Sequence, residues 1–209
     1  RLETDVGEVT RIALEDGSTL TLDTDSAVET SFDIERRNVR LLKGRAFFRV
    51  AHDKSRPFTV AMRRFGVTAT GTQFVVAMDG PTDSVQMVEG SVIAAPTNGI
   101  AGPQIPLATG RSLKVARAGQ WILGSAGAQD LAWITGVLTF RNARLDIIAQ
   151  EMNRYSSRKI RFADPIVAGN RLNAVLKAGD VDTFLESVEQ LSLGKVSKSE
   201  DGQIILSRR

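Results

Sequence analysis

The 209-residue chain contains no cysteine, so neither a disulfide nor a thiolate metal site can hold it together, while its redox compartment is left open. It has one histidine, His52. That excludes metal centres built from several imidazoles and leaves at most one conventional imidazole base. Beside Asp53 and Lys54, His52 reads as a loop residue rather than a catalytic one. No apolar run approaches the roughly 18 residues needed to span a bilayer, and no basic, apolar, small-residue order marks a signal peptide. The sequence opens at Arg1 without a methionine, and any targeting or anchoring segment is expected upstream.

What is present describes a folding polypeptide of ordinary composition, 42% hydrophobic and 24% charged, long enough for one large or two modest domains. The formal net charge is +3. Two basic groups stand out, Arg36, Arg37 and Arg40, and then Arg154, Arg158, Lys159 and Arg161 with Tyr155 and Phe162 among them. The second fits a helix carboxyl terminus, whose dipole favours cations, better than a nucleic-acid surface, and no nucleic-acid partner is expected.

From Val6 to about Leu123 short segments rich in Val, Ile, Thr and Phe are punctuated by Gly, Asp and Pro. Strands are expected at Val9 to Leu14, Thr19 to Leu22, Val39 to Leu42, Ala46 to Val50, Phe58 to Ala61, Val67 to Thr70, Phe74 to Ala77, Ser84 to Val88, Ser91 to Ala94, Ser112 to Val115 and Gln120 to Leu123. Such spacing implies an all-β roll, barrel or sandwich. The clearest hairpin turns at Asp16-Gly17, between alternating Ile12, Leu14 and Leu20, Leu22. Asp16, Asp23, Asp25 and Asp201 all read as turn carboxylates bonding nearby amides.

The period then changes. After Trp133, a strand Val137 to Phe140 leads to Asn142, an expected helix cap, and to a stripe of Leu145, Ile148, Ala149, Met152 and Tyr155. A strand at Lys159 to Phe162 ends at Asp164-Pro165. The order repeats with Arg171 to Leu176, a cap at Asp180, and a stripe of Val181, Phe184, Leu185, Val188 and Leu191. Strands at Lys195 to Ser199 and Gln203 to Ser207, turning at Asp201-Gly202, close the chain. The fold class is therefore mainly β followed by α+β: an all-β domain over residues 1–129 and a small domain of two strand-helix-strand units over 130–209, with Gly124 to Gln129 as the linker.

Little of this carries chemistry. Gly66 to Thr72 spaces its glycines like a phosphate loop but lacks the lysine and a following helix. Phe47, Phe48, Phe58, Phe74, Phe140 and Phe184 fall in strand or helix patterns and read as core. No cofactor is implied. A binding function is favoured over an enzymatic one.

A series of short motifs resembles the FecR-family periplasmic regulators. It runs through Leu14-Glu15-Asp16-Gly17-Ser18, Arg37-Asn38-Val39-Arg40-Leu41-Leu42-Lys43-Gly44, Ala46-Phe47-Phe48-Arg49-Val50 and Arg56-Pro57-Phe58-Thr59-Val60. It continues with Gly71-Thr72-Gln73-Phe74-Val75-Val76, Val88-Glu89-Gly90-Ser91-Val92, Ala118-Gly119-Gln120, Trp133 through Phe140, and Asn153-Arg154-Tyr155. The chain departs from the family's pattern at Arg45, where Glu is frequent, and at Asp23, where Asn is; both read as surface or turn positions. The last third resembles the short domain shared with secretins and with the signalling domains of TonB-dependent transporters.

The resemblance implies a single-pass inner-membrane regulator whose membrane anchor and cytoplasmic, sigma-factor-binding segment lie upstream of Arg1. Its periplasmic part would contact the signalling domain of a TonB-dependent outer-membrane transporter and report iron-siderophore occupancy. The expected contact is the alternating segment Arg171, Leu172, Asn173, Ala174, Val175, Leu176 and Lys177, an open strand edge in a small sheet. The resemblance also implies possible self-cleavage between Gly71 and Thr72, for which the sequence shows no neighbouring base; the bland alternative is a bend at Gly71 followed by a strand residue. A carbohydrate- or envelope-binding β module is the rival reading.

Overall fold

The computed structural model describes residues 1–97, 102–199 and 202–209. It divides into two compact units, Arg1–Leu131 and Ala132–Arg209. Asp201 of the expected Asp201-Gly202 turn lies outside the described residues.

The first unit is all β. Its strands are β1 (Leu2–Glu3), β2 (Thr10–Ala13), β3 (Thr19–Leu22), β4 (Ala27–Phe32), β5 (Arg37–Arg49), β6 (Phe58–Ala61) and β7 (Phe65–Ala69), then β8 (Gln73–Asp79), β9 (Thr82–Glu89), β10 (Ser91–Pro96), β11 (Ile105–Ala108), β12 (Arg111–Val115) and β13 (Trp121–Ser125). Two strands expected separately, Val39 to Leu42 and Ala46 to Val50, are one 13-residue strand, β5. Its first half pairs with β4 and, in parallel, with β6; its second half pairs with β3 and β8. Thus β5 belongs to both layers, and the order β11-β10-β7-β6-β5-β8-β9-β12-β13 curls into a roll.

Between the two halves of β5 stands Gly44. Its φ of +79° and the Ser26 side chain, whose Oγ lies 2.0 Å from where a Cβ would stand, exclude any other residue. Two residues earlier a bulge leaves Leu42 unmatched between the pairs Lys43–Ala27 and Leu41–Val28, and across it the inward parity changes: Arg37, Val39 and Leu41 face the core before it, Ala46 and Phe48 after it. Phe48 stacks on Phe74 with ring centroids 5.6 Å apart and meets Phe58 on its other side. The sequence reading missed β1, β4 and β11. In β4 only Ala27 and Val28 are buried, so the alternation that marks a strand is absent.

The second unit holds β14 (Val137–Arg144), α1 (Leu145–Met152), β15 (Ile160–Phe162), α2 (Pro165–Gly169), β16 (Arg171–Lys177), α3 (Val181–Gln190), β17 (Lys195–Lys198) and β18 (Ile204–Ser207). The two expected strand-helix-strand units are present, but their strands interleave. The first strands of the units, β14 and β16, pair antiparallel, while β15 runs parallel to β18, which also pairs with β17. Two small sheets result instead of one.

Ile148, Phe184 and Leu185 are buried as their helical spacing required. Leu191 is not: α3 stops at Gln190 and Leu191 is 58% exposed. Asn142 does not cap α1. Strand β14 continues to Arg144, and Asn142 sits at its bulge with φ +47°, a left-handed conformation Asn tolerates. Asp164-Pro165, read only as a strand end, starts α2 with the Asp164 carboxylate accepting from the Ile166 amide. The expected linker is shorter than Gly124 to Gln129, because Gly124 and Ser125 belong to β13 and a 3-10 helix begins at Ala128.

Candidate functional site

The motif glycine Gly71 has φ +151°, a backbone state open to glycine and rarely to other residues. Thr72 follows, just before β8, and is only 6% exposed. Its Oγ1 is buried and has no hydrogen-bond partner among the described residues. Burial of an unpaired hydroxyl costs about 1 to 3 kcal/mol, and such groups concentrate where function outweighs stability.

Opposite this bond runs the segment after β5. The Val50 amide donates to the Thr72 carbonyl at 2.9 Å, and the Asp53 amide donates to the Thr70 carbonyl at 3.0 Å. Three residue steps on one side therefore match two on the other, and the excess places His52 against Gly71. A Cβ on Gly71 would lie 2.5 Å from His52 Nδ1, so the imidazole occupies the space that glycine leaves. On the other side Gly90, with φ +81°, admits the Thr72 methyl; a Cβ there would approach Thr72 Cγ2 to 2.8 Å. By sequence alone His52 is a loop residue 20 positions before Thr72, with no base adjacent to that threonine. The fold places His52 against Gly71, the residue before Thr72.

The His52 loop is held by a buried charge. Arg37, fully buried on β5, donates from its guanidinium to the carbonyls of Ala51 (3.0 Å), Asp53 (3.2 Å) and Arg56 (2.7 Å), and to Asp16 Oδ2 at 2.9 Å. Its cation also lies 5.5 Å from the Phe58 ring centroid. Burial pushes the Asp16 carboxyl up, but hydrogen bonds from Ser18 and Arg37 outweigh it and hold Asp16 below its ordinary value. Ser18 completes the link, its Oγ donating to Asp16 and accepting from the Ala51 amide. Asp16 is thus more than the turn carboxylate expected. In the loop itself, the hydroxyl of Ser55, the Arg56 side chain and their amides hold Asp53 far below the ordinary carboxylate range.

The two departures from the family's pattern meet each other. Asp23 is fully buried, and Arg45 Nε donates to its Oδ2 at 2.7 Å across the β3–β5 junction. They are partners, not surface or turn residues. Asp25, with φ +47°, pairs with Lys43.

The first basic group splits, with Arg36 and Arg40 exposed and Arg37 buried. In the second, Arg158 bonds both oxygens of Asp182, Lys159 donates to the Asn153 carbonyl, and Arg161 donates to Gln203. The segment Arg171–Lys177 is β16. Among the described residues it pairs with β14 alone, burying Leu172 and Leu176 while Arg171, Asn173, Val175 and Lys177 face outward, and Ala174 is half-buried. Val175 is 69% exposed. Among the described residues no three His, Asp or Glu side chains group as metal ligands, and no helix is long and apolar enough to cross a membrane.

Residues 1–93 match the family model described as FecR protein. Two crystal structures of a candidate anti-sigma factor from Parabacteroides distasonis ATCC 8503, at 2.50 Å and 1.65 Å resolution, have the same fold, with TM-scores of 0.77 and 0.79. Each is 20% identical, and the alignment covers 100% of this chain and 98% of that one. No curated protein matches the sequence.

Proposed function

We propose that this chain, whose residues 1–93 carry the FecR-family region, is the periplasmic signal-relay part of an anti-sigma regulator anchored in the inner membrane. Its partner is the signalling domain of a TonB-dependent outer-membrane transporter. Its output, through a segment outside these 209 residues, is control of an extracytoplasmic-function sigma factor. The observation that carries this reading is the family match over residues 1–93 together with a fold shared along the full chain with the Parabacteroides candidate anti-sigma factor.

The contact we assign to Arg171, Leu172, Asn173, Ala174, Val175, Leu176 and Lys177. Outward side chains alternate along β16, and only β14 pairs with it among the described residues, so a partner strand could add to the remaining edge. Val175→Asp puts a charge on that face without touching the core. It should weaken capture of the transporter domain at least about tenfold. Unchanged capture would remove β16 from the interface.

At the Gly71–Thr72 bond we propose self-cleavage. The Thr72 hydroxyl attacks the Gly71 carbonyl carbon, the amide becomes an ester, and water opens it. The glycine-favouring φ of Gly71 and the unpartnered buried Oγ1 of Thr72 support this reading over a structural bend alone. Intact-mass analysis under denaturing conditions should find pieces 1–71 and 72–209 in the parent and a single mass in Thr72→Ala; a parent that stays whole excludes it.

A further inference from the structure

We propose that His52 is the catalytic proton carrier of the Gly71–Thr72 cleavage, a role that rests on the cleavage reading above. Four observations converge on it. The uneven bridge between Val50–Asp53 and Thr70–Thr72 turns His52 toward the bond, and it does so with backbone bonds of 2.9 and 3.0 Å. The imidazole Nδ1 occupies the space a Cβ on Gly71 would need, so it packs on the residue whose carbonyl is attacked. The hydroxyl of Thr72, the next residue along the chain, is buried and has no hydrogen-bond partner among the described residues, a donor without a destination. Arg37 and Ser18 fix the loop on both sides of His52 through Ala51 and Asp53, which preorganises the base.

Asp53 is a poor rival. Its carboxylate is taken up by Ser55 and Arg56, which leaves it weakly basic. His52 is the chain's single histidine, so no second imidazole can substitute. It is also exposed, and water for ester hydrolysis can reach it.

The step balances. As Thr72 Oγ bonds to the Gly71 carbonyl carbon, its proton passes to the His52 imidazole. The Gly71 C–N bond breaks, and the imidazolium returns that proton to the departing Thr72 nitrogen, leaving an ester and a free amine. One water then adds to the ester, giving a Gly71 carboxylate and restoring the Thr72 hydroxyl. His52 ends unchanged.

The test follows newly synthesised full-length chain by intact mass over time for the parent, His52→Gln and His52→Ala. Both variants should cleave about 100-fold more slowly while melting with the parent, since His52 is exposed. Added imidazole should restore His52→Ala. Parent-like rates in the variants overturn the role of His52 and leave cleavage standing, and slowing that imidazole does not restore reassigns His52 to packing and overturns it too. A parent that never cleaves overturns both readings together.

Discussion

The two units solve burial differently. In Arg1–Leu131 the core takes in charge: Arg37, Asp23 and Asp83 are all fully buried, each with an opposite charge in reach. In Ala132–Arg209 no charged residue is buried among the described ones, and the core is Leu, Ile, Val, Met, Ala and aromatics. A roll built of strands must fix bends and loops far apart in sequence, and buried ion pairs have the directionality to do so. A unit of two amphipathic helices on short strands needs only complementary apolar faces. The contrast teaches that buried ion pairs fix separate bends and loops of the first unit, the Arg37 pair holding the loop over Gly71, whereas apolar packing holds the second.

The comparison can be broken most forcefully in the apolar unit. Phe184→Ala should cost about 3 to 5 kcal/mol through lost transfer energy and a cavity. Each unit carries one tryptophan, Trp121 in the first and Trp133 in the second, so urea unfolding of single-tryptophan variants reads them separately. Loss confined to the Trp133 signal supports the division. An equal shift at Trp121 would mean the units unfold together.

In the charged unit Arg37→Met should cost about 3 kcal/mol, because it leaves Asp16 and three carbonyls without their donor. Adding Asp16→Asn should cost less than the sum of the two changes. Acid sharpens the point. The folded Asp16 titrates below its ordinary value of 3.8, so its stabilisation is present above that value and is lost as pH falls through the folded one. The Trp121 transition of the parent should therefore weaken as pH drops below about 4, and that of Arg37→Met should weaken less. Parallel acid limbs would show that the pair is not what acid breaks.

The smallest effect should come from local signals. The Asp180 carboxylate accepts from the Thr183 amide and hydroxyl at the start of α3, and Asp180→Ala should cost about 1 kcal/mol at Trp133 and nothing at Trp121. A larger loss would mean that α3 depends on its cap more than on its buried stripe.

Much of the fold was legible because its cause is local. Alternation located β3 and β6 to the residue, helical spacing located α1 and α3, and Asp16-Gly17 made a turn because Gly17 accepts φ +82°. The inward parity of Arg37 with Val39 and Leu41 was also readable, and would have marked Arg37 as a buried cation needing partners. The pairing of Asp23 with Arg45 was not, because 22 residues separate them and only the antiparallel meeting of β3 with β5 joins them.

By itself, then, the sequence determined element types, their order and the apolar faces, since these follow from backbone preference and side-chain period over a few residues. Only the tertiary structure decided that β5 would serve two layers, that β14 would pair with β16, and that His52 would lie on Gly71. Those outcomes depend on which distant strands pair and in which register, and one bulge moves a loop residue onto a bond that lies 19 residues further along the chain.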